Sequence, residues 1–224
     1  MSQDQSTAVL ERLVSAGVLV ETPDGAFTID DKFAEKRTAI RKDLQADGRD
    51  VLDPKIADLD LPERVLADAS ALALFSPSLA TDTAVSVAWS LKTFDRSVST
   101  SGVPEGFVPL KFGEIESFVS QFEATIVYLW REKCDPCDLV RSDLEGLLED
   151  GDFPDWMGRA AVYGPDCASE LASAYDVGGA PTILFWVGDS IDCRFVGAKA
   201  RETIEREIQT ITELRRTPNE TAGQ

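Results

Sequence analysis

Histidine is absent from this chain of 224 residues, and asparagine occurs once, at Asn219. Without histidine there is no His–Cys dyad, no Ser–His relay and no imidazole metal ligand, so most hydrolytic and zinc-dependent mechanisms lose their usual residue. Basic side chains are scarce beside acidic ones, 22 against 40, giving a formal charge of −18 and a pI near 4.3. A surface this negative repels phosphates and opposes general nucleic-acid binding. Long apolar runs are missing too. The most apolar stretch, residues 66–89, is broken by Asp68, Pro77 and Asp82 and is not expected to span a bilayer. Residues 1–7 have no basic region, apolar core or twin arginine, so no signal peptide is expected and the chain reads as cytoplasmic. Four cysteines are too few for a disulfide framework at this length. In a reducing compartment a close pair points to redox chemistry or metal binding.

What the chain does have is a hydrophobic fraction of 43%, enough for a proper core, and an acidic, lysine-poor, Ala/Val/Asp-rich composition. That balance is read as halophilic, from an archaeon with a salt-rich cytoplasm, where concentrated ions screen self-repulsion.

The sharpest local signal is Cys134-Asp135-Pro136-Cys137. It follows Thr125-Ile126-Val127-Tyr128-Leu129-Trp130, an apolar, β-branched run without alternation that reads as a buried strand. Pro136 suits the first turn of a helix, and Leu139, Val140, Leu144, Leu147 and Leu148 then recur at helical spacing. Cys134 therefore sits at the positive end of a helix dipole, which favours thiolate over thiol. A second thiol within reach makes this a dithiol–disulfide exchange site.

Charge and turn signals divide the chain. Residues 1–100 read as a mostly helical domain, residues 106–216 as an α/β domain, and residues 217–224 as a flexible tail. In the first part a helix over 7–16 stops at Gly17, and strands at 18–20 and 26–29 flank the turn Pro23-Asp24-Gly25. Asp30 or Asp31 caps a helix striped by Phe33, Ile40 and Leu44 and ended by Gly48, and two further helices span 62–75 and 79–94. Lys32, Lys36, Arg37, Arg41 and Lys42 give the capped helix a basic face, read as solvated and partnered by Asp31, Glu35 and Asp43. Helix, short hairpin and helix resemble a piece of a winged-helix module, but only one short helix precedes the hairpin where a DNA-reading version needs a recognition helix, and with the overall charge nucleic acid is not an expected partner. The second part reads as strand 107–112, helix 113–121, strand 125–130, helix 136–149, strand 160–163, helix 168–175, strands 182–187 and 190–196, and a last helix carrying Ile204, Ile208, Ile211 and Leu214.

Several ordered positions of this second part resemble the thioredoxin family. Trp130 precedes the dithiol, Cys134 and Cys137 take the two thiol positions, Pro136 lies between them, and Tyr175-Asp176-Val177-Gly178-Gly179-Ala180-Pro181-Thr182 and Val196-Gly197-Ala198 follow in register. The resemblance implies a central mixed sheet with helices on both faces and a cis bond before Pro181. It also implies a thiol–disulfide oxidoreductase without a bound cofactor, acting on protein disulfides and refilled by an electron-donating reductase. Cys134 would be the exposed nucleophile and Cys137 the more buried resolving thiol, with Pro181, Ala180 and Trp130 meeting the substrate. Lys133 stands where an aromatic residue is common and would favour the Cys134 thiolate, Asp135 replaces a glycine and opposes it, and Pro136 shapes the turn. The family's buried carboxylate would fall at Tyr128, and the proline that kinks the dithiol helix is replaced by Ser142. Glu132 is read as an exposed acid. Cys167 and Cys193 read as small, partly buried apolar residues, and one close pair without a second argues against a zinc site. The competing readings are a redox-responsive binding or regulatory protein without enzymatic activity and, on the hairpin alone, a redox-sensing regulator.

Overall fold

The structure is a computed structural model and describes residues 13–23, 27–94, 101–154 and 156–216. The helix expected over 7–16 lies mostly outside them, as do the centre of the 23–25 turn and the tail after Arg216. The chain divides into two compact units, residues 1–95 and 96–224.

Among the described residues of the first unit, 13–15 are helical, and Gly17 follows at φ 71°. Strands β1 (Leu19–Glu21) and β2 (Phe27–Ile29) pair antiparallel. Helix α1 (Asp31–Asp47) starts where the Asp30 carboxylate accepts the N–H groups of Lys32 and Phe33, satisfying two otherwise unpaired donors. It ends at Gly48, whose φ of 73° disfavours any residue with a Cβ. A short helix α2 (Pro54–Ala57), capped by Asp53, has no counterpart in the sequence reading. Helix α3 (Glu63–Phe75) is buried from Val65 through Leu72 and forms the centre of the unit, with α1 and α4 (Thr81–Ser90) packed on it. A helix buried on all sides needs apolar residues all round, and along this buried stretch α3 supplies apolar or small side chains except at Asp68.

Asp68 corrects the reading of the basic face. Its carboxylate is fully buried and accepts a 2.8 Å hydrogen bond from Arg41, with Arg37 at 3.7 Å. Two of the five cations thus face protein rather than solvent or phosphate, and their partner lies on another helix, outside the reach of i,i+4 reasoning.

The second unit contains β3 (Val108–Leu110), α5 (Ile115–Val119), β4 (Ala124–Trp130), α6 (Asp135–Glu149), β5 (Met157–Tyr163), α7 (Ala168–Tyr175), β6 (Thr182–Val187), β7 (Ser190–Val196) and α8 (Arg201–Arg216). The sheet order is β3-β5-β4-β6-β7. The first three strands run parallel and the last two pair antiparallel, so the expected central mixed sheet is present. Strand alternation divides its faces. Ile126, Tyr128 and Trp130 of β4 and Ile183 and Phe185 of β6 join one core with Val140, Leu144 and Leu147 of α6 and Ile204, Ile208 and Ile211 of α8. On the other face Trp186 meets the Tyr175 ring of α7 edge-on at 5.5 Å.

Several boundaries differ from expectation. Strand β3 covers only 108–110, and the helix expected over 113–121 is a 3₁₀ turn followed by the five-residue α5. Strand β5 begins three residues early because pairing of Met157, Gly158 and Arg159 with β4 overrides their weak strand propensity. Leu139 is 65% exposed and Leu214 58% exposed, so neither belongs to the apolar stripe of its helix.

Candidate active site

Strand β4 carries the chain to the carboxyl edge of the sheet at Trp130, and Arg131, Glu132 and Lys133 then turn it outward, all exposed. Lys133 adopts a left-handed conformation, φ 52°. This reversal delivers Cys134 as the N-cap of α6, with Asp135 and Pro136 exposed in the first turn. The Cys137 backbone N–H lies 3.2 Å from Cys134 Sγ and donates to it. A sulfur that receives an N–H at a helix N-terminus is stabilised as an anion. The Cys134 and Cys137 sulfurs are joined in a disulfide of 2.08 Å.

Both sulfurs are hidden. Cys134 is 4% and Cys137 3% exposed, and both belong to the core between α6 and the sheet. The expectation of an exposed first thiol and a deeper second one is therefore corrected. The chain before β3 lies close by: a Cβ on Gly102 would come within 2.2 Å of the Trp130 ring, and Val103 packs on the core to which the two cysteines belong. Trp130, expected to meet substrate, is itself 2% exposed, with Tyr163 on it at 4.9 Å between ring centroids.

The Ala180–Pro181 peptide bond is cis. Thr182 pairs with Leu129 in antiparallel register, which brings Pro181 to the level of Trp130. Ala180 packs on the core containing both cysteines. The loop is held by the Thr182 hydroxyl donating to the Gly179 carbonyl at 2.8 Å and by the Gly197 N–H donating to the Pro181 carbonyl at 2.9 Å. Dithiol, cis-proline and glycine turn, separate in sequence, thus meet at one edge of the sheet.

Two hollows flank this edge. One, about 240 Å³, is mostly apolar and is lined by Leu129, Pro165, Ala168, Leu171, Val177 and Ala180, with Arg131 at its wall. The other, about 120 Å³, lies between Ser101-Gly102 and the start of α6 and includes Glu132, Lys133, Cys137 and Asp138. Sequence reasoning missed Ser101, Gly102 and Arg141 as neighbours of the site. A Ser/Gly/Pro-containing stretch reads as linker, and no local signal says where a linker lies.

Tyr128 occupies the space beneath the dithiol. Its hydroxyl donates to the Cys137 carbonyl at 2.8 Å. Burial pushes its ionisation far above the ordinary tyrosine range; Arg141 opposes the shift, and Asp138 and Glu145 add to it. The other thiols are unpaired with one another. Cys167 is buried, its S–H directed at the Tyr163 carbonyl at 3.6 Å, and burial followed by Glu170 and Asp166 raises its pKa. Cys193 is raised by burial first, then by Glu207 and Asp192. Among the described residues no group of three or more potential ligands is placed to hold a metal ion, and no helix is long and apolar enough to cross a membrane.

No family model matches the chain, and no curated protein does. Solved structures that match include three thioredoxins. A mutant thioredoxin from Halobacterium salinarum NRC-1 is 24% identical and covers 49% of this chain and 94% of its own, with a TM-score of 0.41. Mitochondrial thioredoxin 3 from Saccharomyces cerevisiae, in its oxidized form, is 15% identical over 46% of this chain and 94% of its own, TM-score 0.41. The Malassezia sympodialis thioredoxin Mala s 13 is 20% identical over 49% and 95%, TM-score 0.41.

Proposed function

We propose that the second unit is a thioredoxin-like thiol–disulfide oxidoreductase acting through Cys134 and Cys137. The observation that carries this reading is the placement of the pair: Cys134 Sγ caps α6, accepts the Cys137 N–H and lies within bonding distance of the second sulfur. In the reduced state the Cys134 thiolate attacks one sulfur of a substrate disulfide, and the other substrate sulfur leaves as a thiolate. Cys137, deprotonated, then attacks Cys134 Sγ, closing the 134–137 disulfide and releasing the second substrate thiol. Two electrons pass to the substrate, and the two thiolates released take up the proton that Cys137 gave up and one from solvent, matching the proton Cys134 had already lost. An electron-donating reductase then restores the dithiol.

Half-buried Ala180 lines the apolar hollow, which suits an apolar side chain of a protein disulfide substrate, while Pro181 is buried behind it and fixes the loop through its cis bond. Lys133 favours the Cys134 thiolate and Asp135 opposes it. The net charge supports a concentrated-salt cytoplasm as the setting, in which stability should rise with potassium chloride.

The test is exchange activity of Cys134→Ser in the full chain, together with titration of the pair in thiol–disulfide buffers. Loss of turnover and a reversible two-electron transition below roughly −250 mV support a reductase. Unchanged turnover ends the reading. The second reading, a redox-responsive binding protein, draws on the burial of both sulfurs; it predicts partner binding that depends on the state of the pair, with no turnover.

A further inference from the structure

Residues 101–105 run beside α6 from the dithiol end toward the opposite end of the helix. The Ser101 carbonyl accepts from Arg141 at 3.0 Å, Gly102 lies flat on Trp130, Val103 and Pro104 are at least partly buried, and the Glu105 N–H donates to Glu145 at 3.2 Å. We infer that Ser101–Glu105 is a strap that closes the Trp130 side of the dithiol and must lift for exchange to run at its full rate. The inference rests on the exchange chemistry proposed for Cys134 and Cys137.

Disulfide exchange depends on access of the attacking sulfur to the one attacked. With the strap in this arrangement Cys134 is 4% and Cys137 3% exposed, and Ser101 and Gly102 line a hollow with Cys137. What holds it is modest: two hydrogen bonds between exposed groups at its ends and the small apolar area of Gly102, Val103 and Pro104. Against these stands the entropy of ordering five residues, glycine among them. The Trp130 indole N–H, moreover, is buried with no hydrogen-bond partner among the described residues. An unpaired buried donor penalises the closed state, and lifting the strap gives that N–H access to water or to a substrate carbonyl. Opening is therefore a local event that needs no unfolding of the sheet.

The experiment uses full-length protein and dithiothreitol as the probe. One of its thiolates attacks the 134–137 disulfide, its second thiol resolves the mixed disulfide, and the protein gains two electrons and two protons. Gly102→Val cannot lie on Trp130, and Arg141→Ala removes the hold on Ser101. Each should speed reduction of the pair roughly five- to tenfold, the usual effect of losing one such contact on a local opening. Alkylation of buried Cys167, followed by mass in the same samples, should not change, and amide exchange at Glu105 should accelerate. Reduction at the wild-type rate in both variants, with the pair still reversible, overturns the strap alone. Acceleration shared equally by Cys167 overturns it too, since it marks general loosening. A wild-type pair that cannot be reduced reversibly overturns the exchange reading and the strap together.

Discussion

Replacing Tyr128 by Phe removes one hydroxyl from the floor of the dithiol and leaves the ring. The lost bond, 2.8 Å to the Cys137 carbonyl, joins two uncharged groups in a buried place. Such a bond is worth about 1 kcal/mol net, roughly a fivefold change in the folding equilibrium. The carbonyl keeps its helical partner within α6, so it is not left bare. In a unit of this size the change should lower the unfolding midpoint by about 3–6 °C, read from the fluorescence of its tryptophans. Catalysis should respond differently. Burial raises the pKa of the phenol well above the pH range in which thiol exchange is measured, so Tyr128 does not titrate there. The exchange rate of Tyr128→Phe between about pH 6 and pH 9 should stay within about twofold of wild type, with the same profile. A tenfold fall, or the disappearance of a break in the pH profile, would refute the reasoning and make Tyr128 a proton carrier. Tyr128→Ala, which also deletes the ring, should destabilise by about 3–5 kcal/mol.

Asp68→Asn should destabilise the first unit by about 3–5 kcal/mol, because it leaves the largely covered guanidinium groups of Arg37 and Arg41 without a counter-charge; urea unfolding no different from wild type would show that the triad is dispensable. Tyr175 is pushed up to about 12 by burial, with Glu116 adding to it. Its unfolded value is near 10, so the stability it contributes is full below about pH 10 and is lost as pH rises toward 12. Tyr175→Phe should accordingly flatten part of the alkaline fall in urea midpoint between about pH 9 and pH 11, and an unaltered slope would disprove the shift. Cys167 should be alkylated at least roughly tenfold more slowly in native protein at about pH 8 than in urea, because burial lowers both access and thiolate fraction; equal rates would show that its cover is missing.

Much of the architecture could be read from local patterns. Helix α7 and strands β6 and β7 lie where periodicity and turn residues put them, and Asp30, Gly48 and Pro136 act at helix ends for reasons their own backbones dictate. The dithiol was legible because two thiols at that spacing, between an apolar strand and an amphipathic helix, need only local geometry to meet. What lay beyond reach depends on distant partners. Leu139 and Leu214 satisfy a helical repeat yet stand in solvent, because which arc of a helix is buried depends on the surface it lands on. Arg37 and Arg41 pair with Asp68, 27 residues beyond Arg41, and no spacing rule connects them. The close approach of Gly102 to Trp130 depends on where residues 101–105 come to rest, and the burial of Cys134 on how α6 packs on the sheet. The sequence by itself determined most of the secondary elements and the spacing that lets the two thiols meet at a helix start, through short-range backbone and side-chain preferences. Only the tertiary structure decided which faces are covered and how far the pair is closed to solvent, because burial is set by contacts between segments far apart in the chain.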